Sequence, residues 1–372
     1  MDSEKPPTEN IDMGNDRRMR KSDEEKSHGS TLFKGCVVTT IVIGVLGVLT
    51  VALLVGIAVF GVFGESGDKS EANIPLKERT IENPETKAKI AIIPIKDMIV
   101  GSPSVHDSVT PVAVACARIE QAVEDPDVKG VLVNIDSPGG GITASDILHR
   151  RIQKINSGDN AKPVVVHIGD VAASGGYYVA AAADRVWAHP TSITGSIGVI
   201  MPLYKATELM DKVGIENNSV QTGPYKDLGS PFSETTEQEA ADERRVLQGI
   251  IDQLYERFVD VVAEGRDMEE DEVKDLADGR IYTSEQAKDL SLIDDIGYRS
   301  GVIEDLKTLC EIERARLVHY QRVLSFPDML GSVFADRKMS MTFPVDFELN
   351  NSSRPMYLWA PGRRDDVNQL RR

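Results

Sequence analysis

The sequence predicts an α/β protein with a mainly parallel sheet, preceded by one transmembrane helix. Two observations predict this class. Short runs of valine and isoleucine alternate with helix-like stretches after residue 88, and a charge-free run of thirty residues lies near the amino end. Continuous β-branched runs indicate strands buried on both faces, and their alternation with helices indicates βαβ crossovers. The chain therefore combines a membrane anchor with a sizeable α/β domain.

The composition narrows the class of protein. Of the 372 residues, 41% are hydrophobic and 27% are charged, which suits a large folded domain. The net charge of −17 repels phosphate backbones, so nucleic acid is not expected as a partner. The three cysteines form no CxxC motif, so no metal site is predicted, and no cofactor is expected. Buried thiols at Cys116 and Cys310 are favoured over a disulfide bridge, which stays open as an alternative.

Residues 35–64 form the predicted anchor. As a helix they would be about 45 Å long, against about 30 Å for the hydrocarbon core of a bilayer. A polar stretch of 34 residues precedes them, which favours an uncleaved anchor over a signal peptide. Basic residues concentrate before this run and acidic residues follow it. The positive-inside rule therefore predicts residues 1–34 to be a disordered cytoplasmic tail and the rest of the chain to be extracytoplasmic.

The chain beyond the anchor divides into three segments. Residues 65–88 are polar and contain two prolines, so they are predicted to be a linker. Residues 89–321 carry the alternating strand and helix patterns of the folded domain, including a short strand predicted at residues 218–222. Residues 322–372 form a carboxy-terminal extension with isolated apolar clusters. A long amphipathic helix is predicted near residues 239–264, and its apolar face consists of Val246, Ile250, Leu254, Phe258 and Val261.

Two small-residue turns follow predicted strands and are candidates for chemistry. In the first, Ser137-Pro138-Gly139-Gly140-Gly141, consecutive glycines can expose N–H groups to an oxyanion or a phosphate, or can simply make a tight turn. In the second, Ser174 lies among small residues at the start of a helix. There the helix dipole and the Gly175 N–H would stabilise developing negative charge. The alternative is that Ser174 only caps the helix.

A third candidate is Lys226, which follows Gly223 and Pro224 after the predicted short strand. A solvated lysine has a pKa near 10.4 and is charged at neutral pH. Burial among apolar groups has to lower such a pKa by about three units before the amine can deprotonate a serine. Lys226 alone would be interpreted as a surface lysine, so its significance comes from its combination with the serine.

Together, these motifs resemble the signal peptide peptidase A family, membrane-anchored relatives of the Clp protease and crotonase fold. The resemblance covers about residues 89–320 together with the anchor. It is carried by AASGGYYVAAAADRVWAHPTSITGSIGVI, by SPGGG before it and by GPYKDLGSPF after it, in the family's order and spacing. The phrase SRPMYLWAP near the end of the chain is similar to the family's carboxy-terminal region.

The resemblance implies a role for each site residue. Ser174 is the nucleophile and Lys226 the general base, the amides of Gly140 and Gly175 form the oxyanion hole, and Ser196 orients the lysine amine. It also implies a homo-oligomer that hydrolyses signal peptide remnants or other apolar, membrane-derived peptides.

The histidines favour lysine as the base. A Clp-type triad would need a histidine about two dozen residues after the serine, and residues 194–200 contain none. His189 is nearest in sequence, but it follows a predicted short strand, and a structural role is favoured. His28 lies in the amino-terminal tail, on the other side of the membrane from Ser174.

Three other functions are alternatives to this one. A catalytically idle membrane scaffold with the same fold would be expected to have lost Ser174 or Lys226, and both are present. A crotonase-like acyl-CoA enzyme would typically use acidic catalytic residues and would have no anchor. A quality-control protease for misfolded membrane proteins would share the mechanism, and nothing in the sequence separates it from a signal peptide peptidase.

Overall fold

A computed structural model of the chain describes residues 46–47, 49–50, 74–101, 109–158 and 160–323, and the backbone of 356–358. The chain divides into two units, Met1–Asp68 and Lys69–Arg372, and the fold below is that of the second. Among the described residues, no helix is both long and apolar enough to cross a membrane. Most of the anchor predicted at residues 35–64 lies outside these residues, as do residues 1–34.

One large sheet forms the centre of the second unit. Its strand order is β1-β10-β2-β3-β5-β6-β9, with β7 beside β5 and β8 beside β7. Two further strands, β4 and β11, pair only with each other among the described strands. The strands are β1 (Leu76–Glu82), β2 (Lys89–Lys96), β3 (Val128–Ser137), β4 (Gly139–Gly141), β5 (Val164–Ala173), β6 (Arg185–Ala188), β7 (Ile193–Gly195), β8 (Ile281–Thr283), β9 (Asp295–Ile296), β10 (Arg316–Arg322) and β11 (Met356–Leu358).

Helices connect these strands in the βαβ manner predicted from the sequence. They are α1 (Pro111–Glu124), α2 (Ile142–Ile155), α3 (Gly175–Ala180), α4 (Thr207–Val213), α5 (Glu237–Arg266), α6 (Glu270–Leu276), α7 (Ser284–Asp289) and α8 (Arg299–Leu309). Within the large sheet only the β1–β10 and β7–β8 pairs are antiparallel. The other pairs, including β2–β3, β3–β5 and β5–β7, are parallel. The predicted α/β class with a mainly parallel sheet is therefore confirmed.

The sheet is buried on both faces, which explains its continuous valine and isoleucine runs. On one face, α1 and α2 pack Ile119 and Leu148 against Val131 and Val133 of β3. On the other face, α8 packs Leu306 against Leu132 and its neighbours. Burial of each such side chain stabilises the fold by about 1.5–3 kcal/mol. This two-sided burial fixes the strand register, since a slip by one residue would exchange the two faces.

The structure differs from the sequence predictions at two segments. The segment predicted to be a linker, 65–88, contains strand β1, which pairs with β10 at the sheet edge. The prediction of a short strand at residues 218–222 is wrong, because these residues form no strand. None of the described strands pairs with them, and Val220 is fully exposed. Without a sheet partner, a β-prone sequence does not form a strand.

Residues 200–251, which we call the arm, leave much of their apolar surface uncovered. The predicted amphipathic helix is present as α5, but only its carboxy-terminal half packs on the core, through Phe258 and its neighbours. In the other half Val246 and Ile250 are 41% and 42% exposed. The arm also encloses a groove of about 660 Å³ between its loop and α5. Its exposed apolar residues include Ile200, Leu203, Tyr204, Leu209, Val213 and Ile215.

Two glycines of α5 give a matched test of where this helix touches the core. A Cβ at Gly265 would lie 2.0 Å from the Ala181 carbonyl oxygen, whereas one at Gly249 would meet nothing within 4 Å. Gly265→Ala should therefore destabilise the protein by about 1–3 kcal/mol or more through overpacking. Gly249→Ala should stabilise it by about 0.5–1 kcal/mol through helix propensity. Denaturant unfolding of both variants checks this, and equal effects would contradict the described packing of α5.

Candidate active site

Adjacent parallel strands end together and bring two serines side by side. Ala173, the last residue of β5, pairs with Gly195, the last residue of β7. The residues that follow are Ser174 and Ser196, and the Ser174 N–H donates a 2.7 Å hydrogen bond to the Gly195 carbonyl. Carboxy-terminal strand edges are where α/β sheets place their ligand sites. The structure therefore places Ser174, the predicted nucleophile, beside Ser196, the residue predicted to orient the base.

Ser174 has a strained backbone. Its φ is 52° and its ψ −116°, a conformation that non-glycine residues rarely adopt and that costs about 1–3 kcal/mol. Its hydroxyl does not cap α3, so the interpretation of Ser174 as a simple helix cap is not supported. The Gly175 N–H, at the first position of α3, has no acceptor within the helix because of its position. This arrangement leaves a hydroxyl and an amide donor together at the helix start.

Gly176 allows the start of α3 to lie directly against β3. A Cβ at this position would be only 2.7 Å from the Ser137 carbonyl oxygen. Glycine at position 176, one of the small residues noted in the sequence, is therefore a steric requirement of this contact. The contact brings α3 beside the glycine turn that follows β3.

The glycine turn predicted to bind an oxyanion forms the short strand β4 in the structure. The Ile99 N–H donates to Gly139, and the Gly141 N–H donates to Ile99, both at 2.8 Å. Because successive residues of a strand face opposite edges, the N–H and C=O of Gly140 face away from Ile99. Gly140 has φ +156°, and a Cβ there would lie 2.2 Å from the Ile99 carbonyl oxygen. Only glycine fits this position, and its amide faces the edge of β4 opposite Ile99.

A second segment of the chain lies on that edge. Strand β11 pairs antiparallel with β4, with Tyr357 opposite Gly140 and Leu358 opposite Gly139. Helix α3 contacts both β4 and β11. The predicted carboxy-terminal extension therefore contributes an extended strand next to Ser174 and Gly140.

Ser137 is a site residue whose role the sequence analysis missed. Its hydroxyl donates to the Asp97 carbonyl at 2.5 Å and accepts from the Gly139 N–H at 3.1 Å. Ser137 is fully buried, so these two bonds fix the start of β4 relative to the end of β2. The serine next to the glycine run was the only sequence signal for this role.

Lys226, the predicted base, is not joined to Ser174. It belongs to the arm, in a turn where its N–H donates to Gly223 at 3.2 Å. Its side chain is exposed, and its amine has no hydrogen bond or ion pair within the described parts of the chain. The neighbouring Asp227 accepts a hydrogen bond from Ser233, which lowers the pKa of this carboxyl and orders the turn.

Ser196 shares the unusual backbone of Ser174. Its φ is also 52°, its side chain is 8% exposed, and its N–H donates to the Arg280 carbonyl at 2.7 Å. Its hydroxyl makes no hydrogen bond within the described residues. A hydroxyl held this way is available to a group that approaches Ser174.

None of the four histidines that the structure describes bonds to Ser174. His189 contacts the Thr191 hydroxyl at 2.9 Å and packs edge-on against Tyr298, which supports its predicted structural role. His149 packs edge-on against Tyr178, and burial lowers its pKa to about 4. Within the described residues, no cluster of His, Cys, Asp and Glu could hold a metal ion.

Comparisons with known proteins identify the family of this chain. The model of peptidase family S49 matches residues 156–313. An Enterococcus faecium protein named as a signal peptide peptidase SppA is 38% identical over 255 residues, covering 65% of this chain and 72% of that protein. A Synechocystis protein named as a protease is 32% identical over 256 residues, 66% of this chain and 90% of that protein. The chloroplastic serine protease SPPA of Arabidopsis thaliana is 32% identical over 220 residues, covering 58% and 32%.

These matches define the molecule as a protease. The chain belongs to peptidase family S49, within which it is similar to the signal peptide peptidases A. The resemblance inferred from the SPGGG, AASGGYY and GPYKDLGSPF motifs is thereby confirmed.

His149 should make stability depend on pH. Its pKa is about 4 when folded and near 6.5 when unfolded, so the unfolded chain binds the proton more tightly between these values. The contribution of neutral His149 to the free energy of unfolding is complete above pH 6.5. It is lost as the pH falls towards 4, by up to about 3 kcal/mol. Denaturant unfolding at pH 7 and pH 4.5 measures it. His149→Gln should lose less stability on acidification than the parent, and an equal loss in the two proteins would contradict this assignment.

Gly140→Ala tests the glycine turn. The added methyl group would collide with the Ile99 backbone and push β4 out of place, so turnover of a peptide substrate should fall by about 100-fold or more. Gly101→Ala is the matched control, because its Cβ would make only an ordinary 3.5 Å contact with Ala144. Steady-state kinetics of both variants check this. Equal activity in the two variants would show that the position of β4 does not matter for turnover.

Proposed function

We propose that the chain is a membrane-anchored serine endopeptidase that uses a Ser174/Lys226 dyad. Its substrates are signal peptide remnants or other apolar, membrane-derived peptides on the extracytoplasmic side. The observation that carries the proposal is the pairing of β11 with β4 beside Ser174. An edge that accepts an extended strand of the chain itself can accept a peptide substrate by strand addition.

The proposed chemistry combines the groups at that edge with Lys226 of the arm. Neutral Lys226 removes the Ser174 proton as the hydroxyl attacks a peptide carbonyl. The amides of Gly140 and Gly175 stabilise the tetrahedral oxyanion, and the amine of the leaving peptide takes the proton from lysine as the acyl-enzyme forms. A water activated by Lys226 then releases the acyl group. Ser196 accepts a hydrogen bond from the lysine amine and holds it towards Ser174.

The dyad requires burial of Lys226. A lysine amine becomes neutral at working pH only when it is removed from water, and in the single chain Lys226 is exposed on the arm. The arm also exposes apolar side chains, as a surface that packs against another chain would. The homo-oligomer expected from the family resemblance would bury both features. We therefore include assembly in the proposed active state.

The anchor belongs to the proposal for a separate reason. Residues 35–64 carry no charge, and the basic residues before them favour a cytoplasmic amino terminus. An anchored protease meets peptides that remain in the bilayer after their parent proteins are released. This location makes apolar, membrane-derived peptides the favoured substrate class.

The test is hydrolysis of an apolar fluorogenic peptide by the full chain, solubilised in detergent from the membrane fraction. Ser174→Ala and Lys226→Ala should each lower kcat by at least about 1,000-fold, because the two residues act as one unit. Lys212→Ala, which removes another exposed lysine of the arm, is the matched control and should keep full activity.

Three results would contradict the proposal. Activity that survives Lys226→Ala would remove lysine from the mechanism. An inactive parent chain would favour the catalytically idle scaffold. Recovery of the chain in the soluble fraction would remove the anchor from the proposal.

A further inference from the structure

One carboxylate outside the proposed dyad bridges three helices. Asp146 lies on α2, and its Oδ1 accepts a 2.6 Å hydrogen bond from the Tyr178 hydroxyl. The same oxygen lies 3.3 Å from a guanidinium nitrogen of Arg257. Tyr178 belongs to α3 and Arg257 to α5. Burial opposes ionisation of Asp146, but the hydrogen bonds from both partners outweigh it and hold its pKa below the usual range.

Tyr178 connects Asp146 to the nucleophile, Ser174. The Tyr178 N–H donates a 2.9 Å hydrogen bond to the Ser174 carbonyl, so the two residues are one helical turn apart. The Tyr178 ring is 1% exposed and packs edge-on against Phe258 of α5, with 5.1 Å between ring centroids. A shift of this ring would therefore move the start of α3, where Ser174 holds its strained backbone.

Arg257 connects Asp146 to helix α5, whose first half belongs to the arm. Arg257 lies near the point where α5 leaves the core, since Val259 beyond it is fully buried and Ile250 before it is 42% exposed. Arg257 also donates to the Tyr178 hydroxyl, so the guanidinium, phenol and carboxylate form a closed set. The orientation of α5 at this point sets where the arm, and with it Lys226, is held.

We infer that Asp146 is a positioning residue that fixes the nucleophile helix α3 and the arm helix α5 in one relative orientation. The inference rests on the proposed function, because α3 carries Ser174 and the arm carries Lys226. Asp146 itself touches neither the hydroxyl nor the amine. Its effect is on the geometry of the dyad, and small displacements of reacting groups cause large losses of rate.

Because the Asp146–Arg257 ion pair is exposed, a positioning role can be distinguished from a stabilising role. The Asp146 and Arg257 side chains are 40% and 55% exposed, and ion pairs this exposed contribute little to folding stability. Removing the carboxylate should therefore change the rate more than the stability. A residue that only stabilised the fold would give the opposite pattern.

The chain offers a matched control at Asp305. This carboxylate also accepts from an aromatic side chain and an arginine, Trp187 at 3.0 Å and Arg185 at 2.5 Å. It joins β6 to α8, away from both Ser174 and the arm. Asp305→Ala thus removes the same kind of bridge from a place where it cannot position the dyad.

The experiment measures the full chain in detergent by three readouts. These are kcat and KM on the apolar fluorogenic peptide, the rate at which a fluorophosphonate labels Ser174, and hydrogen exchange in residues 174–181 and 237–251. Asp146→Ala should lower kcat by about tenfold with KM within about twofold of the parent, and should slow labelling. Exchange should rise in both segments. Asp146→Asn, which keeps an acceptor for Tyr178, should restore part of the rate.

Each outcome of this experiment bears on either the inference or the proposed function. If Asp146→Ala leaves kcat, labelling and exchange at parent values, the inference is overturned. It is also overturned if Asp305→Ala lowers kcat as much, because both residues would then act through stability. If the parent chain neither hydrolyses the peptide nor reacts with the fluorophosphonate, the proposed function fails. The exchange readout then decides alone whether Asp146 links α3 and α5.

Discussion

The parallel pairing of β3, β5 and β7 is the constraint on which the site depends. Their register brings the ends of the three strands together, and the residues at or just after those ends are Ser137, Ser174 and Ser196. The strained conformation of Ser174 persists because Ala172 and Ala173 before it and helix α3 after it are buried. The core therefore holds the serine in place.

The sequence was sufficient for the elements whose signals are local. The apolar runs of β2, β3 and β5 and the helical periodicity of α5 predicted the fold class correctly, together with most of the helices. Strand β1 was missed because LKERTIE is polar and its partner, β10, lies far along the chain. Periodicity reveals the apolar face of α5, but it cannot reveal that none of the described elements buries the first half of that face.

The site was predictable to a similar extent. Gly140 and Gly176 are steric requirements of the site, and the glycine run and small-residue turn that contain them are visible in the sequence. The roles of Ser137 and Asp146 depend on distances between strands and helices that no local pattern encodes. Lys226 was chosen from the family motif, and its pairing with Ser174 stays a prediction because the single chain leaves it exposed.

The β11 strand has a consequence for how substrate concentration acts on this enzyme. An edge of β4 can pair with one strand at a time, so any peptide that pairs there has to displace Met356–Leu358. Because that competitor is covalently attached, dilution of the protein does not remove it. Under the proposed strand addition, an apparent KM reports the exchange of one strand for another, and a weakly pairing peptide is rejected before any bond is cut.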